Sequence, residues 1–104
     1  MAYKNILIPT DGTQTSENII DFICSIQKVM NATINVVYVI EVPRNLPLGA
    51  PVPIQAANAQ AAISRVKEIA DGHQVDVTAS IIYARTMEDS IISTAQELKC
   101  DVIA

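Results

Sequence analysis

The spacing of hydrophobic and polar residues changes several times along the chain, and the changes predict four strands separated by three helices. Short aliphatic runs indicate the strands, whereas apolar residues three and four positions apart indicate the helices. Because strand and helix alternate, we expect parallel strands joined by right-handed crossovers. The predicted elements are a strand at 6–9, a helix at 13–31, a strand at 33–42, a helix at 54–71, a strand at 75–83, a helix at 86–98 and a strand that begins at 101.

The first strand and the turn after it are the most informative part of the chain. Residues 6–8 are Ile-Leu-Ile, which is typical of a strand buried on both faces of a parallel sheet. Pro9 has no backbone donor, so we expect the strand to stop there. Thr10, Asp11 and Gly12 then predict a tight polar turn, which places a carboxylate at the carboxyl end of the strand. Ligands bind at this edge in open α/β sheets.

The helices carry signals of their own. Thr13 is a suitable N-cap for the first helix, and Asn31 is a suitable residue to follow its last turn. Thr86, with Asp89 three positions later, resembles a capping box at the third helix. The predicted packing face of the first helix comprises Ile19, Phe22, Ile23, Ile26, Val29 and Met30, and that of the second comprises Ile54, Ala57, Ala61, Ala62, Val66, Ile69 and Ala70.

Composition narrows the class of protein. The chain has 104 residues and a formal net charge of −4, which argues against binding to nucleic acid or to an anionic membrane. Its apolar runs are too short to cross a bilayer, and no signal peptide pattern precedes the first strand. Cys24 and Cys100 match no zinc or redox spacing and predict free thiols. We therefore expect a cytoplasmic protein without direct membrane insertion.

The last predicted strand reaches Ala104 without a covering helix or a polar terminus. A buried parallel strand needs such a cover, so we expect the domain to continue beyond this residue. Residues 1–104 are interpreted as one domain that is incomplete at its carboxyl end.

The local order of these elements resembles the universal stress protein family. Residues 6–13, Ile-Leu-Ile-Pro-Thr-Asp-Gly-Thr, are similar to the family's opening strand and its Pro-(Thr/Val)-Asp-Gly-Ser turn. Residues 35–40, 86–95 and 100–103 are similar to its second strand, third helix and fourth strand, so the resemblance covers essentially the whole chain. It implies a Rossmann-like α/β fold: an open parallel sheet in the strand order 3-2-1-4, with helices on both faces and without the family's fifth strand.

The resemblance also implies an adenine-nucleotide site at the switch point beside the first strand. Pro9 and Thr10 would contribute backbone, Asp11 would contact the nucleotide or its metal, and Val39 and Ile40 would line the adenine pocket. Each has a structural alternative. Pro9 and Thr10 can simply end the strand, Asp11 can be a turn or capping residue, and Val39 and Ile40 can be core residues of a buried strand.

One departure from the family bears directly on ligand binding. ATP-binding members carry a Gly-x2-Gly-x9-Gly-(Ser/Thr) motif after the fourth strand, which holds the phosphates and ribose. This chain contains only Gly12, Gly49 and Gly72, none of them in such a pattern. ATP or AMP is therefore implied for a complete domain, whereas we expect residues 1–104 alone to bind ATP weakly or not at all. The fifth strand often forms the family's dimer contact. We expect a homodimer in which residues 101–104, as an exposed strand edge, pair with a second chain.

The remaining charged residues offer little chemistry. Arg85 could reach an anion, but a solvated loop charge is the favoured interpretation, and His73 is interpreted as a surface loop residue. The sequence shows neither a nucleophile beside a base nor a metal-ligand cluster, so we expect no enzyme and no metal site.

The leading hypothesis is a stress-response domain that acts by binding nucleotide. The alternative is a regulatory or dimerisation module without nucleotide. Residues 41–48 are similar to stress-protein domains attached to amino-acid permeases, so this alternative includes the cytoplasmic domain of an amino-acid transporter.

Overall fold

The computed structural model describes residues 4–103, without the side chains of Lys4, Lys28 and Met30. Strands and helices alternate in the predicted order. They are β1 (Lys4–Thr10), α1 (Gln14–Met30), β2 (Ala32–Glu41), α2 (Pro53–Gly72), β3 (Val77–Ala84), α3 (Met87–Glu97) and β4 (Val102–Ile103). No helix within the described part of the chain is both long and apolar enough to cross a membrane.

The four strands form one parallel sheet in the order β3-β2-β1-β4. β1 pairs with β2 from Lys4 to Thr10, and with β4 at Ile6 and Leu7. The first and fourth strands are therefore neighbours, as the resemblance implied. The predicted fold class and strand order are confirmed.

Hydrophobic side chains cover both faces of the sheet. Successive side chains of β1 point to opposite faces, so its two-residue period determines the face on which each one lies. Ile6 and Ile8 pack into a core with residues of α1 and α2. Leu7 points the other way and packs against Ala95 of α3, together with Val37 of β2. Both faces of the central strand are buried, which explains its unbroken aliphatic run.

The strand boundaries differ from the predicted ones by one or two residues. β1 does not stop at Pro9 but continues to Thr10, which pairs with Tyr38 of β2. Within the described residues, the pairing of β1 with β4 ends at Leu7, so β4 does not lie beside Pro9. β3 begins at Val77, not at Val75, and its half-exposed pattern confirms an edge strand.

The ends of α1 follow the prediction, but its packing face does not. Thr13 is the N-cap, and Asn31 ends the helix with a left-handed φ of 54°. The residues buried against the sheet are Ile20, Ile23 and Cys24. Of the predicted face, Ile19, Phe22 and Val29 are exposed, whereas the side chain of Met30 lies outside the described part.

The predicted face of α2 is also partly wrong. Ile54, Ala57 and Ala61 are exposed, and the buried residues of this helix are Ala59, Ala62, Ile63, Val66 and Ala70.

Cys24 is buried and Cys100 half-buried, and both are free thiols as predicted. Burial raises the pKa of both thiols, which lowers their reactivity.

Candidate functional site

The candidate site lies at the carboxyl edge of the sheet, where β1 passes into α1. Thr10 is buried, and its hydroxyl oxygen accepts a hydrogen bond from the backbone N–H of Gly12 at 3.2 Å. Gly12 has a φ of +79°, a left-handed conformation that favours glycine. A Cβ there would lie 3.4 Å from both Ala62 and Arg65, so α2 packs closely against the turn.

Asp11 organises the start of α1. One of its carboxylate oxygens, Oδ1, accepts hydrogen bonds from the Thr13 backbone N–H at 3.0 Å, the Thr13 hydroxyl at 2.6 Å and the Ser16 hydroxyl at 2.8 Å. The hydrogen bonds from Thr13 and Ser16 lower the pKa of Asp11 to about 2. Within residues 4–103, every side-chain hydrogen bond to this carboxylate goes to Oδ1. The second oxygen therefore stays available to a ligand.

β2 extends further along this edge than β1. The pairing of β1 with β2 ends at Tyr38, but β2 continues to Glu41, which pairs with Ala84 of β3. Among the described strands, only β3 flanks the last three residues of β2. On the side of β2 that faces β1, the backbone of residues 39–41 therefore has no neighbouring strand among the described residues, which leaves a gap in the sheet. We call this gap, bounded by residues 39–41 and the end of β1, the notch.

The notch adjoins two depressions that share Met87 in their lining. One, of about 220 Å³, is lined by Pro9, Thr10, Asp11, Ser16, Met87 and Ile91. The other, of about 460 Å³, is lined by Glu41, Thr86, Met87 and Glu88. Met87 contributes to both and so connects the ends of β1 and β2. The larger depression alone lies within the size range of small-molecule sites.

The predicted site residues divide into two groups. Pro9, Thr10 and Asp11 lie together on the wall of the smaller depression. Val39 and Ile40 are 6% and 2% exposed, and neither lines a described depression, so the structure does not bring them together with Pro9, Thr10 and Asp11 on one wall.

Sequence reasoning missed two residues of this edge. The carboxylate of Glu41 accepts a hydrogen bond from the Met87 backbone N–H at 3.0 Å and so caps α3 from the end of β2. The predicted capping box is wrong, because the Thr86 side chain makes no capping hydrogen bond. Met87 carried no signal beyond its apolar character. Both contacts join residues far apart in the chain, which local patterns do not reveal.

Arg65 holds the opposite side of the turn. Its guanidinium donates to Glu17 of α1 at 2.5 Å and to the Gly12 carbonyl at 3.3 Å. Beside it, Tyr38 and Asn58 complete a depression of about 220 Å³ on the α2 side. The turn is therefore fixed by both α1 and α2, which lie on the same face of the sheet, so Asp11 is held in place before any ligand arrives.

Two other charged residues have structural partners. Arg85 is exposed in the loop after β3, in agreement with the predicted solvated charge, and it also donates to the carbonyls of Pro43 and Leu46, each at 2.6 Å, so it holds the proline-rich loop. His73 lies 2.7 Å from Asp21 and links the end of α2 to α1. Within residues 4–103, no three acidic, histidine or cysteine side chains are grouped as a metal site would need.

The comparisons with known proteins agree with this architecture. The model of the universal stress protein family matches residues 2–104. The chain belongs to the universal stress protein family. No curated protein matches it significantly.

Solved structures of family members share the fold. A universal stress protein in complex with cAMP is 20% identical, with a TM-score of 0.73, and is matched over 99% of this chain and 71% of that one. A universal stress protein from Archaeoglobus fulgidus in complex with dAMP is 16% identical, with a TM-score of 0.78 over 99% and 80% of the two chains. A family member from Burkholderia pseudomallei is 17% identical, with a TM-score of 0.75 over 97% and 79%.

Proposed function

We propose that this domain binds an adenine nucleotide at the notch and acts in the stress response by binding, not by catalysis. The observation that carries the proposal is the uneven ending of the two central strands. β2 runs to Glu41, whereas the ladder between β1 and β2 stops at Tyr38. Backbone groups of residues 39–41 can then pair with the edge of a base, as they would with another strand. The cAMP and dAMP complexes of structurally similar family members support adenine as that base.

The surroundings fit a base followed by a sugar. Met87 and Ile91 offer apolar contacts to a flat ring, and Pro9 adds a third apolar wall. Asp11 lines the smaller depression, and its second oxygen can accept a hydrogen bond from a ribose hydroxyl. Phosphates that face the start of α1 would meet the charged Asp11 carboxylate, which already accepts the Thr13 backbone N–H, so we expect them to add little affinity.

The proposal makes a distinctive prediction about phosphates. The chain has three glycines, none in a phosphate-cradling pattern, so base and ribose contacts should supply most of the affinity of the 104-residue chain. We expect adenosine, AMP and ATP to bind with similar dissociation constants, all weaker than micromolar. Titration calorimetry measures this directly. A micromolar dissociation constant for ATP, with adenosine much weaker, would show that this chain has a phosphate site of its own.

A second candidate function is a dimerisation or regulatory module without nucleotide. The exposed apolar residues of α1 favour it, since such a face is typical of an interaction surface. Homodimer formation and a cytoplasmic location are part of both proposals. A competition experiment distinguishes the two candidate functions, because only nucleotide binding requires adenosine to compete with AMP at the notch.

A further inference from the structure

A groove of about 460 Å³ lies between α3 and the end of β3, beside the notch. Its volume is within the range of small-molecule sites. Ile82 and Ala84 of β3 provide apolar contacts, whereas every α3 residue in the lining is polar. The α3 residues recur at intervals of one or three positions, so they form one stripe along the helix. They are Thr86, Asp89, Ser90, Ser93, Thr94 and Glu97.

Ser90 is the most buried residue of this stripe, and its hydroxyl group lacks a partner. The residue is 9% exposed, and within residues 4–103 its buried hydroxyl oxygen has no hydrogen-bond partner. A helical serine can donate to the carbonyl four positions earlier. Here the backbone N–H of Ser90, not its hydroxyl, donates to the Thr86 carbonyl, at 3.3 Å. Buried polar groups in proteins are nearly always paired, so Ser90 marks a place for a polar group of a ligand.

The charges around the groove cancel and favour a neutral ligand. Arg44 and Arg85 carry positive charge, whereas Asp89 and Glu97 carry negative charge. An anion would be repelled by these two carboxylates and by Glu41, which caps the start of α3. A cation would be repelled by the two guanidinium groups. A neutral molecule avoids both penalties.

The mixture of donors and acceptors indicates the chemistry of that molecule. Guanidinium groups only donate hydrogen bonds, carboxylates only accept them, and hydroxyl groups do both. A neutral ligand serves all three kinds best with groups that both donate and accept, and hydroxyl groups do this at a single atom. Ile82 and Ala84 can contact the C–H groups that carry such hydroxyls.

Arg85 is held in place before any ligand enters the groove. Its Nη1 donates to the carbonyls of Pro43 and Leu46, each at 2.6 Å. Within residues 4–103, the side-chain hydrogen bonds of Arg85 all use Nη1, so Nε and Nη2 keep their donors for a ligand. Because this side chain is already ordered, little of its conformational entropy is lost on binding.

We propose that this groove binds a neutral small molecule with several hydroxyl groups, of the monosaccharide class, and that the Ser90 hydroxyl is one of its contacts. The site does not depend on nucleotide binding at the notch. Asp89, Ser93 and Glu97 are exposed, so water competes for their hydrogen bonds. We therefore expect dissociation constants in the millimolar range.

The test follows the amide signals of the 15N-labelled 104-residue chain as glucose is added to tens of millimolar. We expect shifts at residues 82–86, 90, 93 and 94, which line the groove. Ser90→Ala should weaken glucose binding at least threefold. Ser64→Ala is the matched control, since Ser64 is an exposed serine of α2 outside the groove lining, and it should leave binding unchanged. Glycine betaine has no hydrogen-bond donor and should cause no shift.

Thermal unfolding without glucose gives an independent measurement. Ser90→Ala should raise the melting temperature by roughly 4–8 °C more than Ser64→Ala, because it removes a buried hydroxyl that has no partner among residues 4–103. The absence of shifts with glucose, or equal shifts with glucose and betaine, overturns the proposal. A melting temperature that Ser90→Ala lowers would show that the hydroxyl has a structural partner, which overturns it as well.

Discussion

Removing the charge of Asp11 should destabilise the domain in a way that depends on pH. Three donors from Thr13 and Ser16 converge on one carboxylate oxygen, and they lower its pKa from 3.8 to about 2. A pKa lowered by folding means that the charged form is favoured in the folded state. Its contribution is therefore complete well above pH 4 and is lost as pH falls through about 2.

The size of the effect follows from the same shift. A fall of this size corresponds to at most about 2.5 kcal/mol. The Asp11 carboxylate is exposed, and water screens it, so we expect about 1 kcal/mol in practice. Asp11→Asn keeps the shape and an acceptor oxygen but removes the charge. It should lower the melting temperature near pH 7 by roughly 4–8 °C, as expected for about 1 kcal/mol in a domain of this size.

The assay is urea unfolding of the wild-type chain and Asp11→Asn between pH 7 and pH 2. The difference in free energy of unfolding should be constant from pH 7 to about pH 5 and should shrink toward pH 2. Asp76→Asn is the control, since this exposed carboxylate accepts no side-chain hydrogen bond from the described residues. A difference that does not depend on pH, or equal behaviour of the two variants, would refute the role given to the hydrogen bonds of Asp11.

Two further predictions concern the supports of the site. Gly12→Ala should cost about 1–2 kcal/mol in the free energy of chemical unfolding, since φ is +79° and the new methyl group meets Ala62. Gly72→Ala, whose methyl group meets open space, should cost nothing, and equal losses would contradict the argument. Arg85→Met should release the proline-rich loop and speed its proteolysis without unfolding the sheet, whereas Arg44→Met should not. Equal cleavage rates in wild type and Arg85→Met would count against this restraint.

The turn at Asp11 could be predicted because its signals are local. An aliphatic run, a proline, an Asx-type turn and a threonine cap follow one another within eight residues, and each limits the backbone on its own. The helix ends at Thr13 and Asn31 were predictable for the same reason. The strand order needed more than local signals, since parallel pairing joins distant residues, and it came from the family resemblance.

The face of α1 could not be assigned from periodicity alone. Ile19 and Ile20 are adjacent, and each begins an apolar stripe with helical spacing, so the pattern fits two rotations of the helix. Packing against the sheet selects the stripe of Ile20 and leaves that of Ile19 outside. The cap that Glu41 provides for α3 was missed for a related reason, since the two residues of that hydrogen bond lie 46 positions apart.

The central claim, that adenine lies in the notch, is tested most directly by nuclear magnetic resonance. The amide signals of the 15N-labelled 104-residue chain are followed as millimolar AMP is added, with adenosine in a parallel titration. We predict that both ligands shift the amides of residues 10–12, 39–41 and 87, and that the shifts share one set of residues. A groove of about 460 Å³ between α3 and the end of β3 is the competing location, lined in part by Tyr83, Ser93 and Glu97. Shifts confined to that groove, or the absence of shifts with millimolar AMP, would contradict the account.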